Sequence, residues 1–384
     1  MPDTITKTIG TSSRDYSTIN AWEADLNSAS IYSNGDTAIG EIYADSTFTD
    51  VANLIENGSA IGGSASHDLA LIKLTVHADS RHDGTAGSGA VLKPTDNGTH
   101  DYGVIRINVD NVIVEWLEID MDNDDDITTA DNRPMNKGVV LTGTNDDCII
   151  RNMLIHGKYG NPSAASGDDN GPFMIHVIGA GASTDTITIQ NNMVYNAIET
   201  NNDHSSAINT NTWGGICRIY NNTVYNIQSA GGSKFAIGIR FGNPASSNTT
   251  VKNNIVAKLT STHSSGERAY EHGASNGGNG TVTEAYNLSD DTCHSSYVAA
   301  GTGSLTGKTL AQIGFVSTVA DSEDLHISSD SHCVDAGEDL GTTNGVEIDI
   351  NGRNRDSSGD TWDIGAHEFV ADAAAGAAFI MFVH

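Results

Sequence analysis

One short pattern of apolar and polar residues recurs along the middle of the chain. In each copy apolar and polar positions alternate, and one or two Asn residues then interrupt the alternation. The copies are 150–155 (IRNMLI), 189–195 (IQNNMVY), 219–225 (IYNNTVY) and 251–256 (VKNNIV), with degenerate copies at 112–119 (VIVEWLEI) and 282–288 (VTEAYNL). Alternation is typical of a strand with one buried face, and Asn tolerates the left-handed backbone of a turn. The pattern therefore predicts at least six coils.

The spacing of the copies indicates a solenoid. With the second Asn as marker, the positions are separated by 40, 30, 32 and 33 residues, by subtraction along Asn152, Asn192, Asn222, Asn254 and Asn287. Periods of this length are typical of solenoids. Stacked coils would place equivalent Asn side chains about 4.8 Å apart, where their amides can form a ladder. A second strand is predicted before each marker, at 173–178, 207–209, 235–241 and 269–272.

Both ends carry features that predict a cap. Ser17 is a candidate N-cap for a helix over 18–26, in which Ile19, Trp22 and Leu26 form an apolar stripe. The other end contains an ordered set of motifs, namely 324–327 (DLHI), 333–337 (CVDAG), Asp349, Gly352, Arg353 and 363–368 (DIGAHE). Caps are needed because an open solenoid edge invites edge-to-edge pairing.

The Asn-turn coils over roughly residues 100 to 300 resemble the right-handed parallel β-helix superfamily, which includes pectate lyases, other polysaccharide lyases and phage tailspikes. The segment 363–368 is similar to the closing segment of extracellular and phage-encoded β-helix proteins, with His367 where an aromatic residue is commoner. The predicted fold is all-β, a right-handed parallel β-helix with an N-terminal capping helix and a C-terminal cap. The expected boundaries are 1–60 for the N-terminal cap, 61–300 for the coils, 301–370 for the last coils and cap, and 371–384 for an apolar tail.

Charge and composition narrow the possible partners. The formal net charge is −30, from 49 acidic and 19 basic residues, so nucleic acids and anionic membranes are not expected partners. The longest apolar run, 377–383, is far shorter than the roughly 20 residues of a membrane helix. The first residues lack a basic segment followed by an apolar run, which predicts no Sec-type signal peptide. We expect a soluble extracellular or virion protein.

Candidate chemistry lies in the loops that follow the Asn turns, because these loops emerge from the same edge of successive coils. A glycosidase would pair Asp168 or Asp169 with Asp203 as acid and base. A polysaccharide lyase would need a base for the proton next to a uronate carboxylate, and cations that neutralise this carboxylate. Lys234, Arg240 or Arg268 could act there, with calcium held by the nearby acids, and His204 is a further catalytic candidate in the same loops. The candidate glycan-binding residues are Tyr159, Trp213, Arg268 and Tyr270. No complete catalytic motif of the pectate lyase or polygalacturonase type is present in the sequence.

The acidic run 120–126 (DMDNDDD) offers a weak calcium motif. Asp120, Asp122 and Asp124 place oxygens at alternate positions, and Asp131 is twelfth counting from Asp120. An EF-hand loop would require Gly at the sixth position, where Asp125 stands, and Glu at the twelfth. The run therefore predicts either a solvated acidic turn or a possible Ca²⁺ site.

The sequence favours a structural or surface-binding function. The leading hypothesis is a bacteriophage virion component, such as a decoration, fibre or spike protein, whose loops bind a glycan or cell-surface polysaccharide. The apolar stretch 373–384 would then contact identical subunits or other virion proteins. The alternative is an extracellular polysaccharide lyase or glycoside hydrolase of the β-helix type, and a third hypothesis is a monomeric adhesin.

Overall fold

The computed structural model describes twelve stretches of the chain. They are residues 2–49, 69–94, 103–122, 137–143, 145–157, 171–179, 181–199, 203–230, 232–242, 247–273, 280–357 and 361–371. Within them the chain winds through three parallel sheets as a β-solenoid of about 7 turns. The predicted all-β parallel β-helix is confirmed.

Strands are numbered β1 to β26 in chain order, and most belong to three parallel sheets. Sheet 1 contains β1 (Thr4–Ile9), β2 (Thr37–Ile42), β3 (Leu71–Val76), β6 (Val112–Glu115), β9 (Cys148–Arg151), β12 (Thr186–Gln190), β16 (Ile216–Tyr220), β19 (Asn248–Lys252) and β22 (Thr281–Ala285). Sheet 2 contains β4 (Val91–Leu92), β7 (Glu118–Asp120), β10 (Leu154–His156), β13 (Met193–Tyr195), β14 (Ile198–Glu199), β17 (Thr223–Ser229), β20 (Ile255–Ser261), β23 (Leu288–Asp290) and β24 (Leu305–Lys308). Sheet 3 contains β5 (Ile105–Ile107), β8 (Lys137–Leu141), β11 (Phe173–Val177), β15 (Ser205–Asn209), β18 (Ala236–Phe241) and β21 (Glu267–His272).

Few elements lie outside these sheets. Helix α1 (Ile19–Ala24) is the predicted capping helix, but its N-cap is Thr18, whose hydroxyl accepts from the Ala21 N–H, and not Ser17. Helix α2 (Leu310–Ile313) precedes an antiparallel hairpin of β25 (Phe315–Val319) and β26 (Ser322–Ile327). Short 3₁₀ turns occur at Ala78–Ser80, Thr343–Gly345 and Arg355–Ser357. None of the described helices has the length and apolarity to cross a membrane.

Rows of apolar side chains fill the interior of the solenoid. The parallel register aligns Ile150, Ile189, Ile219 and Val251 in one row, and all four side chains are fully buried. Cys148 and Cys217 occupy another such row, and burial raises the pKa of both thiols to about 12. Buried thiols of this kind pack as small apolar groups and are chemically inert.

The second Asn of each pair forms a buried ladder. The Nδ2 atoms of Asn192, Asn222 and Asn254 each donate to the Oδ1 atom of the next Asn, at 2.9, 2.9 and 3.0 Å, and the ladder ends at Asn287. All four side chains are fully buried. The predicted amide ladder is therefore present, and it fixes each coil on its neighbour.

The position predicted for Asn152 within the repeat was wrong by one residue. Arg151 pairs with Gln190, so Asn152 aligns with Asn191, and Met153 takes the ladder position. The Met153 backbone N–H donates to Asn192 Oδ1 at 2.9 Å. Asn152 and Asn191 both have a left-handed backbone, with φ of 51° and 55°, as do the first Asn residues of the later pairs.

The C-terminal cap lies along the side of the coils, over the Asn turns. The Nδ2 atom of Asn152 donates to Asp349 O at 2.7 Å, that of Asn191 to Ile348 O at 2.8 Å, and that of Asn253 to Glu338 O at 2.8 Å. The two Asn residues of a pair thus have separate roles, because the first binds the cap and the second binds the next coil.

A second apolar core joins this cap to the outer face of sheet 2. It contains Leu154, Met193 and Tyr225 from the coils and Leu325, Ile350 and Ile364 from the cap. Arg355 is fully buried beside it, where it pairs with Glu368 at 2.8 Å and donates to Gly365 O. The cap is therefore part of the folded unit along the length of the Asn turns.

Loss of one ladder amide should destabilise the whole solenoid. Asn222→Ala removes the side-chain bonds to Ile189 O and Asn254 Oδ1. It also removes the Asn222 Oδ1 atom that accepts from the backbone N–H and the Nδ2 atom of Asn192. We expect the free energy of unfolding to fall by about 2–4 kcal/mol, because buried polar partners lose their hydrogen bonds. Chemical denaturation would measure it, with Asn248→Ala, at an exposed strand position, as the matched control. Equal stability of the two variants would contradict a structural role for the ladder.

Glu284 should make stability depend on pH. Glu284 pairs with Val251 on the neighbouring strand and so stands at the next position of the row formed by Ile150, Ile189, Ile219 and Val251. Burial raises the pKa of Glu284 to about 7. The folded state therefore binds a proton that the unfolded state has released, and stability falls as pH rises from about 4.5 through 7. Glu284→Gln should raise the free energy of unfolding at pH 8 by on the order of 2–3 kcal/mol and have little effect near pH 4.5.

Denaturant unfolding at both pH values would check this expectation. Asp291→Asn, at an exposed position of the next turn, is the matched control and should show no such difference. A gain in Glu284→Gln that is the same at both pH values would show that ionisation of Glu284 is not its cause.

Candidate functional site

Two groups of side chains on the outside of the coils combine charge, aromatic rings and partial exposure. The first, called the lateral patch, consists of His204, Lys234, Phe235, His263, Arg268 and Tyr297. The second, called the acidic cleft, lies between sheet 2 and the β25–β26 hairpin. Its walls include Asp122, His156, Tyr195, Asp321, Glu323 and Asp324, and its volume is about 460 Å³.

Strand register builds the lateral patch. Ser205 pairs with Ala236 and Ala236 with Glu267, so the residues just before these strands are neighbours on successive coils. His204 consequently lies against Phe235, with ring centroids 4.8 Å apart, and His263 meets the edge of the same ring at 5.0 Å. Residues far apart in sequence thus share one surface.

Arg268 is held between two aromatic rings of the lateral patch. Its guanidinium carbon is 3.3 Å from the centroid of Phe235 and 4.5 Å from that of Tyr297. Attraction between a cation and the faces of aromatic rings stabilises such an arrangement. The guanidinium is therefore positioned before any ligand arrives.

Ion pairs arrange the remaining charges of this region. Lys234 Nζ lies 3.9 Å from Asp203 Oδ1. Glu271 pairs with both Arg240, at 3.1 Å, and Arg268. Two guanidinium groups thus share one carboxylate, and this trio carries a net charge of +1. Burial and the charges of Lys137 and Arg240 lower the pKa of nearby His176 to about 3, consistent with a positive local potential.

The surroundings of Asp203 and His204 do not suit proton abstraction. His204 Nδ1 accepts from the Phe235 backbone N–H at 3.0 Å, so the proton of the neutral ring is on Nε2. Asp203 is 5% exposed, and its Oδ1 accepts from the His204 backbone N–H at 2.7 Å. A general base needs an available lone pair within reach of the substrate.

The structure places the other sequence candidates away from this patch. Trp213 is 1% exposed, and its indole N–H donates to Ile216 O at 3.3 Å. Tyr270 is 4% exposed, and its hydroxyl lies 2.8 Å from Asn254 O. Both rings lie in the core instead of offering a surface to a glycan. Tyr159, Asp168 and Asp169 lie outside the described residues, so the proposed acid and base pair is not placed.

The acidic cleft borders a row of functional side chains on sheet 2. Asp120 pairs with His156, and His156 with Tyr195, so the three residues stand on successive coils. Lys93, just after β4, lies beside them and contacts Asp120 Oδ2 through Nζ at 2.7 Å. One side-chain oxygen or nitrogen from each of Asp120, Asp122 and His156 lies within 4.8 Å of those of the other two.

His156 is held in a defined orientation. Its Nε2 atom is 3.0 Å from Glu118 Oε1, and its ring stacks on Tyr195 with centroids 5.0 Å apart. Glu118 Oε2 accepts from the Gly87 N–H at 2.7 Å. Since the carboxylate accepts at both oxygens, His156 Nε2 carries the proton and Nδ1 has the lone pair. The residue is 7% exposed.

The surroundings of Asp122 disfavour the charged form of its carboxyl group. Burial and the charge of Asp120 raise its pKa to about 6, and its buried Oδ1 atom has no hydrogen-bond partner in the part of the chain that the structure describes. The carboxyl rests directly on Gly157, where a Cβ atom would come within 2.4 Å of Asp122 Oδ1. Gly157, with φ of +83°, therefore permits this close approach.

Two of the three residues of the predicted calcium motif, Asp120 and Asp122, belong to this cluster. Asp120 and Asp122 lie together, whereas Asp124 is outside the described residues. Sequence reasoning missed His156, because it joins the cluster through the register of parallel strands and not through spacing along the chain.

No protein-family model matches the chain, and no curated protein matches it.

Proposed function

We propose that this protein is a surface-binding β-helix, a bacteriophage virion component that holds an acidic glycan on its lateral patch. The observation that carries the proposal is the guanidinium of Arg268, fixed between Phe235 and Tyr297. Support for a virion protein comes from the resemblance of the coils and of the 363–368 motif to phage-encoded β-helix proteins.

The chemistry of the patch suits an acidic polysaccharide. A guanidinium donates in a planar fork that matches the carboxylate of a uronate or a sialate. The net positive charge of the Arg240, Arg268 and Glu271 trio contrasts with the net charge of −30 for the chain. Acidic glycans would therefore be drawn to this patch in preference to the rest of the surface.

Binding without cleavage is favoured by the residues around the patch. A lyase needs a base for the proton next to the uronate carboxylate. In the lateral patch the Nδ1 lone pair of His204 already accepts a backbone N–H, and the Asp203 carboxylate is buried beside Lys234. The same patch can still position a ligand through Arg268.

Glycan binding tests the proposal directly. Immobilised protein should bind uronate polymers and acidic bacterial capsules more tightly than neutral dextran, and binding should weaken as salt rises. Arg268→Gln should reduce affinity for the acidic polymers about 10–100-fold, because a charge-assisted bond is lost. Arg218→Gln, on sheet 1, is the matched control and should bind normally.

Two results would contradict the proposal. One is equal binding of acidic and neutral polymers, or binding that Arg268→Gln leaves unchanged in a variant with unaltered thermal unfolding. The other is turnover, seen as unsaturated products or new reducing ends, that Asp203→Ala or Lys234→Ala abolishes. That second result would establish the alternative, a polysaccharide lyase or glycoside hydrolase.

A further inference from the structure

We propose that Asp120, Asp122 and His156 bind one first-row divalent transition-metal ion, for which Zn²⁺ is the suitable probe. Asp122 and His156 are part of the wall of the acidic cleft, and the site is separate from the lateral patch. It does not depend on glycan binding.

The three donors are close enough to share one ion. One side-chain donor atom from each residue lies within 4.8 Å of those of the other two. Bonds to Zn²⁺ are about 2.0–2.2 Å long, so two ligand atoms of one ion are at most about 4.4 Å apart. Small rotations of the aspartate side chains would bring the donors into range.

His156 is already arranged as a metal ligand. Its Nε2–H points to Glu118 Oε1 at 3.0 Å, and Glu118 is in turn fixed by the Gly87 N–H. Ligating histidines usually donate their other ring N–H to a carboxylate, which orients the ring and raises its basicity. Among the described residues none is hydrogen-bonded to Nδ1 of this ring, which is more than nine-tenths buried.

Asp122 supplies an independent indication of a missing partner. Its Oδ1 atom is buried, and none of the described residues is hydrogen-bonded to it, which is costly for a carboxylate oxygen. The backbone turn at Gly157 leaves room for this carboxyl and no room for a Cβ atom. A cation would satisfy the oxygen and reduce the repulsion between Asp122 and Asp120.

The donor set favours a transition metal over the calcium suggested by the sequence. Calcium takes oxygen ligands, usually six to eight of them. An imidazole nitrogen with carboxylate oxygens suits Zn²⁺ and its neighbours in the first row. His156 therefore changes the class of metal that Asp120 and Asp122 would bind.

Lys93 is a built-in competitor for the ion. Its ammonium contacts Asp120 Oδ2 at 2.7 Å, and its side chain is 30% exposed. It can therefore move into solvent when a dication arrives. Removal of this charge by Lys93→Met should strengthen metal binding, whereas loss of a donor should weaken it.

Metal binding should also hold the cap against the coils. Asp321 and Asp324 of the hairpin face Asp122 across the cleft, so carboxylates from both sides meet there. A dication at the coil side reduces repulsion between these walls. We therefore expect the ion to raise the thermal unfolding temperature of the chain.

The test uses the full chain, without a histidine tag, after removal of metals with a chelator. Equilibrium dialysis with Zn²⁺ should give one ion per chain at micromolar affinity, with weaker binding of Ca²⁺, and Co²⁺ should give visible absorption bands of a bound ion. Asp122→Asn and His156→Gln should each weaken Zn²⁺ binding at least about 30-fold, and Lys93→Met should tighten it.

Controls separate loss of the site from loss of the fold. Asp79→Asn, whose side chain is 93% exposed, should bind Zn²⁺ like the original chain. Metal-free Asp122→Asn should unfold at the same temperature as the original chain or higher, because it loses a buried charge. The rise in unfolding temperature on adding Zn²⁺ should disappear in this variant.

Three results would overturn the proposal. They are the absence of Zn²⁺ binding at about 1 mM, Zn²⁺ binding that neither Asp122→Asn nor His156→Gln weakens, and binding of Ca²⁺ at least as tight as that of Zn²⁺.

Discussion

The structure depends on the register between successive coils, which a ladder of buried asparagine amides fixes. Asn192, Asn222, Asn254 and Asn287 join coil to coil on the inside of the turn. Strands on both sides of that turn must then stack in phase, since a slip of one residue would move every core side chain to the outside. Rows of equivalent positions, such as the isoleucines of sheet 1, follow from this constraint.

The repeated sequence predicted the coils well, because each turn needs Asn for two separate reasons. The first Asn adopts a left-handed backbone and binds the cap, and the second forms the ladder. The one alignment error arose at Asn152, where the pair is incomplete and a single Asn fits either position. The motifs of the cap were recognisable, but its place along the side of the coils was not. Its contacts with Asn152 and Asn191 join residues more than 150 positions apart.

The candidate sites were predicted less fully than the coils. Which side chains become neighbours across successive coils depends on the register of the strands as well as on residue type. Strand pairing places Arg268 and His204 around Phe235, which was not among the sequence candidates, and it puts Trp213 and Tyr270 into the core. No spacing along the chain links His156 to Asp120, which are neighbours only across two parallel strands. The same mechanism therefore builds the lateral patch and the proposed metal site, because each collects one side chain from each coil.

A distance along one row of sheet 1 tests this account most directly. Thr4 and Thr281 are the two ends of a row of nine paired strands, and both are exposed. Spin labels on Thr4→Cys and Thr281→Cys, in a chain with Cys293→Ser, can be measured by pulsed electron paramagnetic resonance. Eight steps of about 4.8 Å predict one narrow distribution centred near roughly 38 Å. A broad distribution, or a main distance below about 25 Å, would contradict a continuous stack of coils in register.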